Sequence, residues 1–330
     1  MTNDAQTVGE LGEARVLAAI LARLGPSRAV IGPGDDAAVL EAGRGRIVAT
    51  VDTLVHGPDF RLAWSSGYDL GWKAAAVNLA DVAAMGAHPT ALLVALALPD
   101  DTPSRLVTAL ADGLREACDA LAPGCAVEGG DLTVSPTLTV AVTALGVLDD
   151  DRPPVLRSGA RPGDVLALAG DAGRAAQGLR LLFERFRDDE GAPVPVDQTR
   201  LTPDESDAIA AQLRPVPPIR LGPAAAAAGA TAMMDVSDGL ALDASRLADA
   251  SGVTADLASE TLGADAATAL SGGEDHALLA TFGARAVLPD GFRRIGTVRE
   301  RAAVAVLVDG ARYDGQTGWD PYTGWDAALG

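Results

Sequence analysis

Acidic residues recur beside glycines where apolar segments of this chain end: Asp35 and Asp36 in GPGDD, Asp52 in ATVDT, Asp131 in EGGD, Asp235 and Asp238 in DVSDG, Glu274 and Asp275 in SGGED. Asp81 joins them from the apolar run AAAVNLADVAAMG, with Asn78 three residues earlier on the same face of the helix that the run predicts. A single Asp beside Gly is most often a turn residue. The set reads differently, because solvated acids belong on helix exteriors. An unpaired carboxylate buried in a segment as apolar as that of Asp81 costs several kcal/mol, and a metal ion offsets that cost. Oxygen donors without neighbouring His or Cys select Mg2+ or Ca2+ over zinc, and phosphate company favours Mg2+.

The segment MMDVSDGLALDASRLADASG adds geometry. In a strand, Asp235 and Ser237 project to one side, and Asp238 then stands at the start of a helix as a candidate N-cap. A helix N-terminus receives anions, while Asp235 and Asp238 can hold a bridging cation; an ordinary Ser/Asp cap is the alternative reading. Glycine pairs at 129–130 and 272–273 let backbone amides approach phosphates. Lys73 follows no glycine loop, so there is no Walker A pattern, and neither a protein-kinase signature set nor a Rossmann fingerprint is present.

Composition bounds the partners. The net charge is −19 and the sequence pI is near 4.4, which disfavours nucleic acid and anionic membranes. An acidic surface can take an anionic ligand only with divalent cations as bridges. Lys73 is the single lysine among 26 basic residues, a bias of the kind a GC-rich genome produces. Cys118 and Cys125 match no zinc or CxxC spacing and read as small buried thiols. No signal-peptide pattern opens the chain and no run reaches about 18 apolar residues, so the cytosol is the expected compartment.

The elements that must position these residues follow from periodicity. Residues 9–24 predict a helix, with β-branched runs at 28–31 and 46–51 after it. A long Ala-rich helix is expected over 67–85, then a strand at 91–98, a helix at 104–121, a short strand at 125–128 and a strand at 138–147. The Pro-, Gly- and charge-rich stretch 149–163 divides the chain into lobes 1–150 and 151–330. Beyond it come a strand at 164–169, a helix at 173–187, a mobile surface segment around one helix over 188–218, a strand at 230–236 and a helix at 239–250. Further strands are expected near 253–257, 277–282 and 303–308. The class is α+β in two lobes, without strict βαβ alternation.

Taken in order, GPGDDAAVL, VDTLV, KAAAVNLADVAAMGAHP, EGGDLT, RSGARPGD, DVSDGL and LSGGED resemble a superfamily of ATP-using enzymes. It includes aminoimidazole ribonucleotide synthetase, selenophosphate synthetase and thiamine-monophosphate kinase, and the last is the branch this chain is most similar to, from about residue 9 to 325. The resemblance implies an N-terminal mixed-sheet lobe that pairs in a homodimer and a C-terminal α/β lobe that completes the site. It implies transfer of the ATP γ-phosphoryl group to thiamine monophosphate. By motif, Asp36, Thr50, Val51 (through its backbone), Asp52, Asp81, Asp131, Asp235 and Asp238 would hold Mg2+, with Asp52, Asp81, Asp131 and Asp238 the residues on which turnover depends. Gly130, Asp131, Arg157 and Ser237 would contact ATP. Asp59 and Glu274 would face the thiamine substrate, with Trp325 or Trp319 stacking on its ring.

The chain departs from the family pattern at Asp59, where His is common, at GGDLT, at His276, where Tyr is usual, and in the tail, where GWD occurs twice. Two other readings remain. One is an aminoimidazole ribonucleotide synthetase-like relative, against which SGGED argues. The other is a non-catalytic nucleotide-binding regulator, which would be expected to lose part of an acid set that is present here in full.

Overall fold

Buried and half-buried residues alternate along Thr139–Val147, which marks this segment as a strand with one face on a core. The structure is a computed structural model describing residues 6–30, 40, 45–149 and 152–319. Its N-terminal part holds helices α1 (Val8–Leu11), α2 (Glu13–Leu24), α3 (Gly67–Ala84) and α4 (Ser104–Leu121), and strands β1 (Ile47–Val55), β2 (His88–Leu98), β3 (Ala126–Val134) and β4 (Thr139–Val147). The strands form one sheet in the order β1-β4-β2-β3, with β2 and β3 parallel and the other pairs antiparallel. The single opening helix expected at 9–24 is two, because Gly12 takes φ 73° between them.

Helices α3 and α4 cover one face of this sheet. They lie backbone to backbone: a side chain at Gly67, Gly71 or Gly113 would strike a main-chain carbonyl of the facing helix. Of the 18 residues in α3, 14 are buried, Lys73 and Asn78 among them. A helix apolar nearly all round is an interior one. The reason appears at its C-terminal end, where Ala84 enters a second core with Val155, Ala225, Met233 and Phe282.

That core belongs to a seven-stranded sheet made of β5 (Val165–Ala169), β6 (Ala230–Val236), β7 (Thr254–Leu257), β8 (Ala277–Phe282), β9 (Phe292–Arg299), β10 (Val306–Val308) and β11 (Ala311–Arg312), in the order β11-β10-β7-β9-β5-β8-β6. Helices α5 (Arg174–Arg185), α6 (Pro203–Leu213), α7 (Leu221–Ala227), α8 (Leu240–Ser251) and α9 (Ala266–Ser271) accompany it. Every residue of β8 is buried, as expected of a strand covered on both faces. The architecture is the α+β fold in two lobes, with α3 shared between them.

Four expectations are corrected. No strand forms among the described residues of 28–31, β9 was not anticipated, and β3 runs on past 128, so Asp131 lies inside a strand rather than at its end. The one helix expected within 188–218 is α6, but the stretch around it is not a mobile surface segment: Val194, Val196, Leu201 and Ile209 pack with Leu182 and Phe186 around Trp64 of the other lobe. The Trp64 Nε1 donates to the Phe186 carbonyl at 3.0 Å, and the Trp72 Nε1 to the Pro215 carbonyl at 2.8 Å.

Candidate active site

Helix α3 lies against β1 and carries two of its three inward polar groups there. The Thr50 hydroxyl donates to Asp81 Oδ2 at 2.7 Å, and the Asp52 amide donates to Asn78 Oδ1 at 3.0 Å. Asn78 is itself oriented by donating to the Ala74 carbonyl at 2.9 Å. From the other lobe, the end of β6 brings in Asp235. Its Oδ2 lies 3.2 Å from Nδ1 of buried His276.

These groups act on one another. Burial raises the Asp81 carboxyl to about 6, and the charges of Asp235 and Asp52 add to this against the Thr50 hydrogen bond and His276. Burial also raises Asp52, with His276 opposing and Asp235, Asp238 and Glu274 reinforcing the shift. For His276, burial disfavours the cation, but the hydrogen bond and charge of Asp235 outweigh it and hold the imidazole above its ordinary value. Burial and neighbouring carboxylates thus hold Asp52 and Asp81 above their ordinary range, while Asp235 has His276 as its partner. Among the described residues no group of three His, Cys, Asp or Glu side chains is arranged to enclose a metal ion by itself.

The DVSDG and SGGED loops press together beside this cluster. The Glu274 amide donates to the Ser237 carbonyl at 2.8 Å, and a side chain at Gly273 would strike that carbonyl. Glu274 and His276 take φ of 73° and 51°, positive values that few non-glycine residues adopt. Asp238 is not the N-cap expected of it. That place is taken by Gly239, and Asp243 reaches back to accept from the amides of Asp238 (3.0 Å) and Gly239 (3.2 Å). Asp238 instead pairs with Arg246 at 2.5 Å. Asp275 caps α5, accepting from the Gly173 and Ala175 amides at 2.5 and 2.8 Å, while burial raises it to about 6.

Lys73 is the residue that sequence reasoning missed. It projects from α3, is almost fully buried, and forms an ion pair with Glu274. Burial alone would raise Glu274, but the charge of Lys73, with that of His276, outweighs it and holds the carboxyl below its ordinary range. Standing alone as a lysine among 25 arginines was the available signal.

Both members of the pair line a cleft of about 360 Å³ between the lobes, together with Asp59, Arg61, Trp64, Phe183, Ser237 and Trp319. Asp59 Oδ2 accepts from the Val55 amide at 2.7 Å. Trp319 is thus at the cleft, while Trp325 and Asp36 lie outside the described residues. The other expected site residues do not join. Val51 is exposed on the opposite face of β1, Arg157 is exposed beyond the cleft, and Gly130 and Asp131 lie in β3 at the far edge of the sheet. Gly130 has a packing reason of its own, since a side chain there would strike the Val94 carbonyl.

Residues 34–148 match the family model "AIR synthase related protein, N-terminal domain". The thiamine-monophosphate kinase of Mycobacterium tuberculosis is 42% identical, over 98% of this chain and 95% of that protein. That of Corynebacterium glutamicum is 40% identical, over 96% and 95%. The structure of AaThiL complexed with AMPPCP and TMP superposes with a TM-score of 0.72 at 31% identity, over 96% of this chain and 99% of that one.

Two outcomes are expected of this geometry. Lys73→Met leaves Glu274 half-buried without its cation and lowers stability by roughly 2–3 kcal/mol; adding Glu274→Gln recovers most of the loss, as thermal melts of the four members of the cycle will register. Asp275 binds its proton more tightly folded than unfolded, so its contribution to stability is present below about pH 4 and is lost as pH rises through about 6. Relative to Asp275→Asn, the parent should therefore lose on the order of 2 kcal/mol between pH 4 and 7, measured by urea denaturation of both proteins across that range.

Proposed function

The chain belongs to the thiamine-monophosphate kinase family, and we propose that it transfers the γ-phosphoryl group of ATP to thiamine monophosphate, giving thiamine diphosphate. One observation supports this beyond family membership: three mutually repelling carboxylates, Asp52, Asp81 and Asp235, stand at the junction of the lobes beside a cleft lined by aromatic residues and the Lys73–Glu274 pair.

The acceptor is already an anionic phosphate, so no side chain has to remove a proton from it. What the protein must do is bring two anions into line. The donor set fits Mg2+: hard oxygens on crowded carboxylates, of which Asp235 pairs with His276 and Asp238 with Arg246. Such an ion keeps waters and phosphate oxygens and takes only one or two carboxylates from the protein, so a fully enclosing cage is not required. When bound, it screens the phosphates and fixes their geometry. We assign Thr50, the Val51 backbone, Asp52, Asp81, Asp131, Asp235 and Asp238 to its binding, with Asp36 by motif, and Gly130, Asp131, Arg157 and Ser237 to ATP. The paired loops hold Ser237 and Glu274 at one wall of the cleft, and Asn78 fixes the backbone of Asp52. Asp59, Glu274 and a C-terminal tryptophan, Trp325 or Trp319, are assigned to the thiamine moiety.

A homodimer is part of this reading, and the same sheet supports it. Register carries Asp52 through Val142 and Val94 to Gly130, so Asp52 and Asp131 stand at opposite edges, about 14 Å apart at usual strand spacing. One chain therefore offers these two groups to different places, and a second copy can reunite them. The uncovered face of the sheet, where Ile47 and Val51 are 59% and 61% exposed, is a surface on which that copy can dock. We take the lobes as residues 1–150 and 151–330 and the compartment as the cytosol; no described helix is long and apolar enough to cross a membrane.

Purified protein with Mg2+ and ATP should form thiamine diphosphate from thiamine monophosphate and no product from free thiamine. Asp52→Asn and Asp81→Asn should each cut turnover by at least about 100-fold while sedimentation reports an unchanged assembly. Near-parental turnover in both variants would remove the metal assignment, and ATP hydrolysis without thiamine diphosphate would move the substrate elsewhere in the superfamily.

A further inference from the structure

The cleft between the lobes is chemically uneven. Ser237 and Gly273 line it next to the carboxylate cluster, and Lys73, Glu274 and Asp59 form an ionic stretch in which Asp59 feels both of the others. Arg61 stands apart from these acids, and the charge that acts on it is that of Arg187. Its guanidinium lies 5.2 Å from the Trp64 ring centre and 4.9 Å from that of Phe183, and the two rings meet edge to face at 5.0 Å. Arg187 lies 5.6 Å from the same Phe183 ring.

Three features of this corner point to a ligand. Among the described residues neither arginine pairs with a carboxylate, although the chain carries a net charge of −19. The Arg61 Nε is buried and has no hydrogen-bond partner, a costly state for a donor. The platform beneath it is fixed, because Trp64 is 7% exposed and tied to the Phe186 carbonyl at 3.0 Å.

Resting on the phosphotransfer reading above, we propose that this corner is the subsite for the aminopyrimidine ring of the acceptor, and that Arg61 is a specificity-determining residue within it. Thiamine monophosphate has three parts in fixed order: an anionic phosphate, a thiazolium cation, and a neutral aminopyrimidine with two acceptor nitrogens. The cleft offers matching surroundings. The phosphate belongs beside Ser237, Gly273 and the carboxylate cluster, where the transferred group must arrive. The cation belongs beside Glu274 and Asp59, and Arg61 would repel it. The neutral ring is the part that a guanidinium can stack on and donate to, as it cannot do with the thiazolium. Trp319, 44% exposed at the rim, is placed to cover the ring once it is seated.

The test crosses a substitution with a truncated ligand. The parent, Arg61→Met and Arg61→Lys are compared for KM and kcat with thiamine monophosphate, and for binding of an N-methylthiazolium phosphate that keeps cation and phosphate but lacks the aminopyrimidine. Arg61→Met should raise KM for thiamine monophosphate about 10-fold, with kcat, the KM for ATP and the melting temperature close to parental. Its affinity for the truncated ligand should change less than about twofold. Arg61→Lys should not restore KM, because an ammonium neither stacks as a plane nor presents a fork of donors. Equal weakening toward both ligands would place Arg61 at the phosphate and overturn the proposal, as would an unchanged KM or full rescue by lysine. A parent that forms no thiamine diphosphate at all would instead refute the phosphotransfer reading, so the two failures are distinct.

Discussion

The crowding of Asp52, Asp81 and Asp235 is the constraint on which the rest of this molecule turns. Two of these acids come from the N-terminal lobe and the third from the C-terminal lobe, so the lobes cannot close over α3 without bringing them together. Burial, with the charges of Asp235 and Asp52, raises Asp81 to about 6. On the function proposed above, a fold that keeps them crowded gives up stability for a site that would attract a divalent cation and, through it, phosphate. The net charge of −19 ceases to be an obstacle to nucleotide binding on this view, since the same carboxylates that repel the free anion recruit the cation that carries it.

Helix α3 is the device that imposes the crowding. Its glycines allow α4 to lie backbone to backbone with it, its alanines allow two sheets to approach it, and its three polar residues each do something different. Lys73 holds Glu274, Asn78 holds the Asp52 backbone, and Asp81 enters the cluster. The interlobe contacts of Trp64 and Trp72 fix the α5–α6 pair against the same unit, which turns the gap between lobes into a walled cleft.

Much of this was legible in the chain. The apolar surroundings of Asp81 announced burial, and DVSDG and SGGED mark where β6 ends and β8 begins, whereas Asp52 and Asp131, read as standing at strand ends, lie inside β1 and β3. Periodicity placed α3, α4, β6 and β8 within a residue or two of where they lie. What escaped was set by tertiary contact. The 188–218 stretch reads as loose because its apolar residues are spaced by Asp and Pro, yet they find their partner in Trp64, more than 120 residues earlier. Asp238 has the spacing of an N-cap, but Asp243 takes the amides first and leaves Asp238 to Arg246. Lys73 stood out only by composition, since mid-helix lysines usually face water; only the second lobe reveals that this one faces Glu274. His276 departs from the family's tyrosine, and its pairing with Asp235 is visible only once β6 and β8 lie side by side.

The most direct test of the central constraint is the melting temperature of the parent and of Asp81→Asn, each recorded in chelator and in excess Mg2+. Neutralising one member of a crowded carboxylate cluster should make the variant more stable than the parent in chelator. Mg2+ should then raise the melting temperature of the parent by several degrees and leave the variant nearly unmoved. A variant less stable than the parent in chelator, with the same response to Mg2+, would mean that these carboxylates are neither mutually strained nor the seat of the cation.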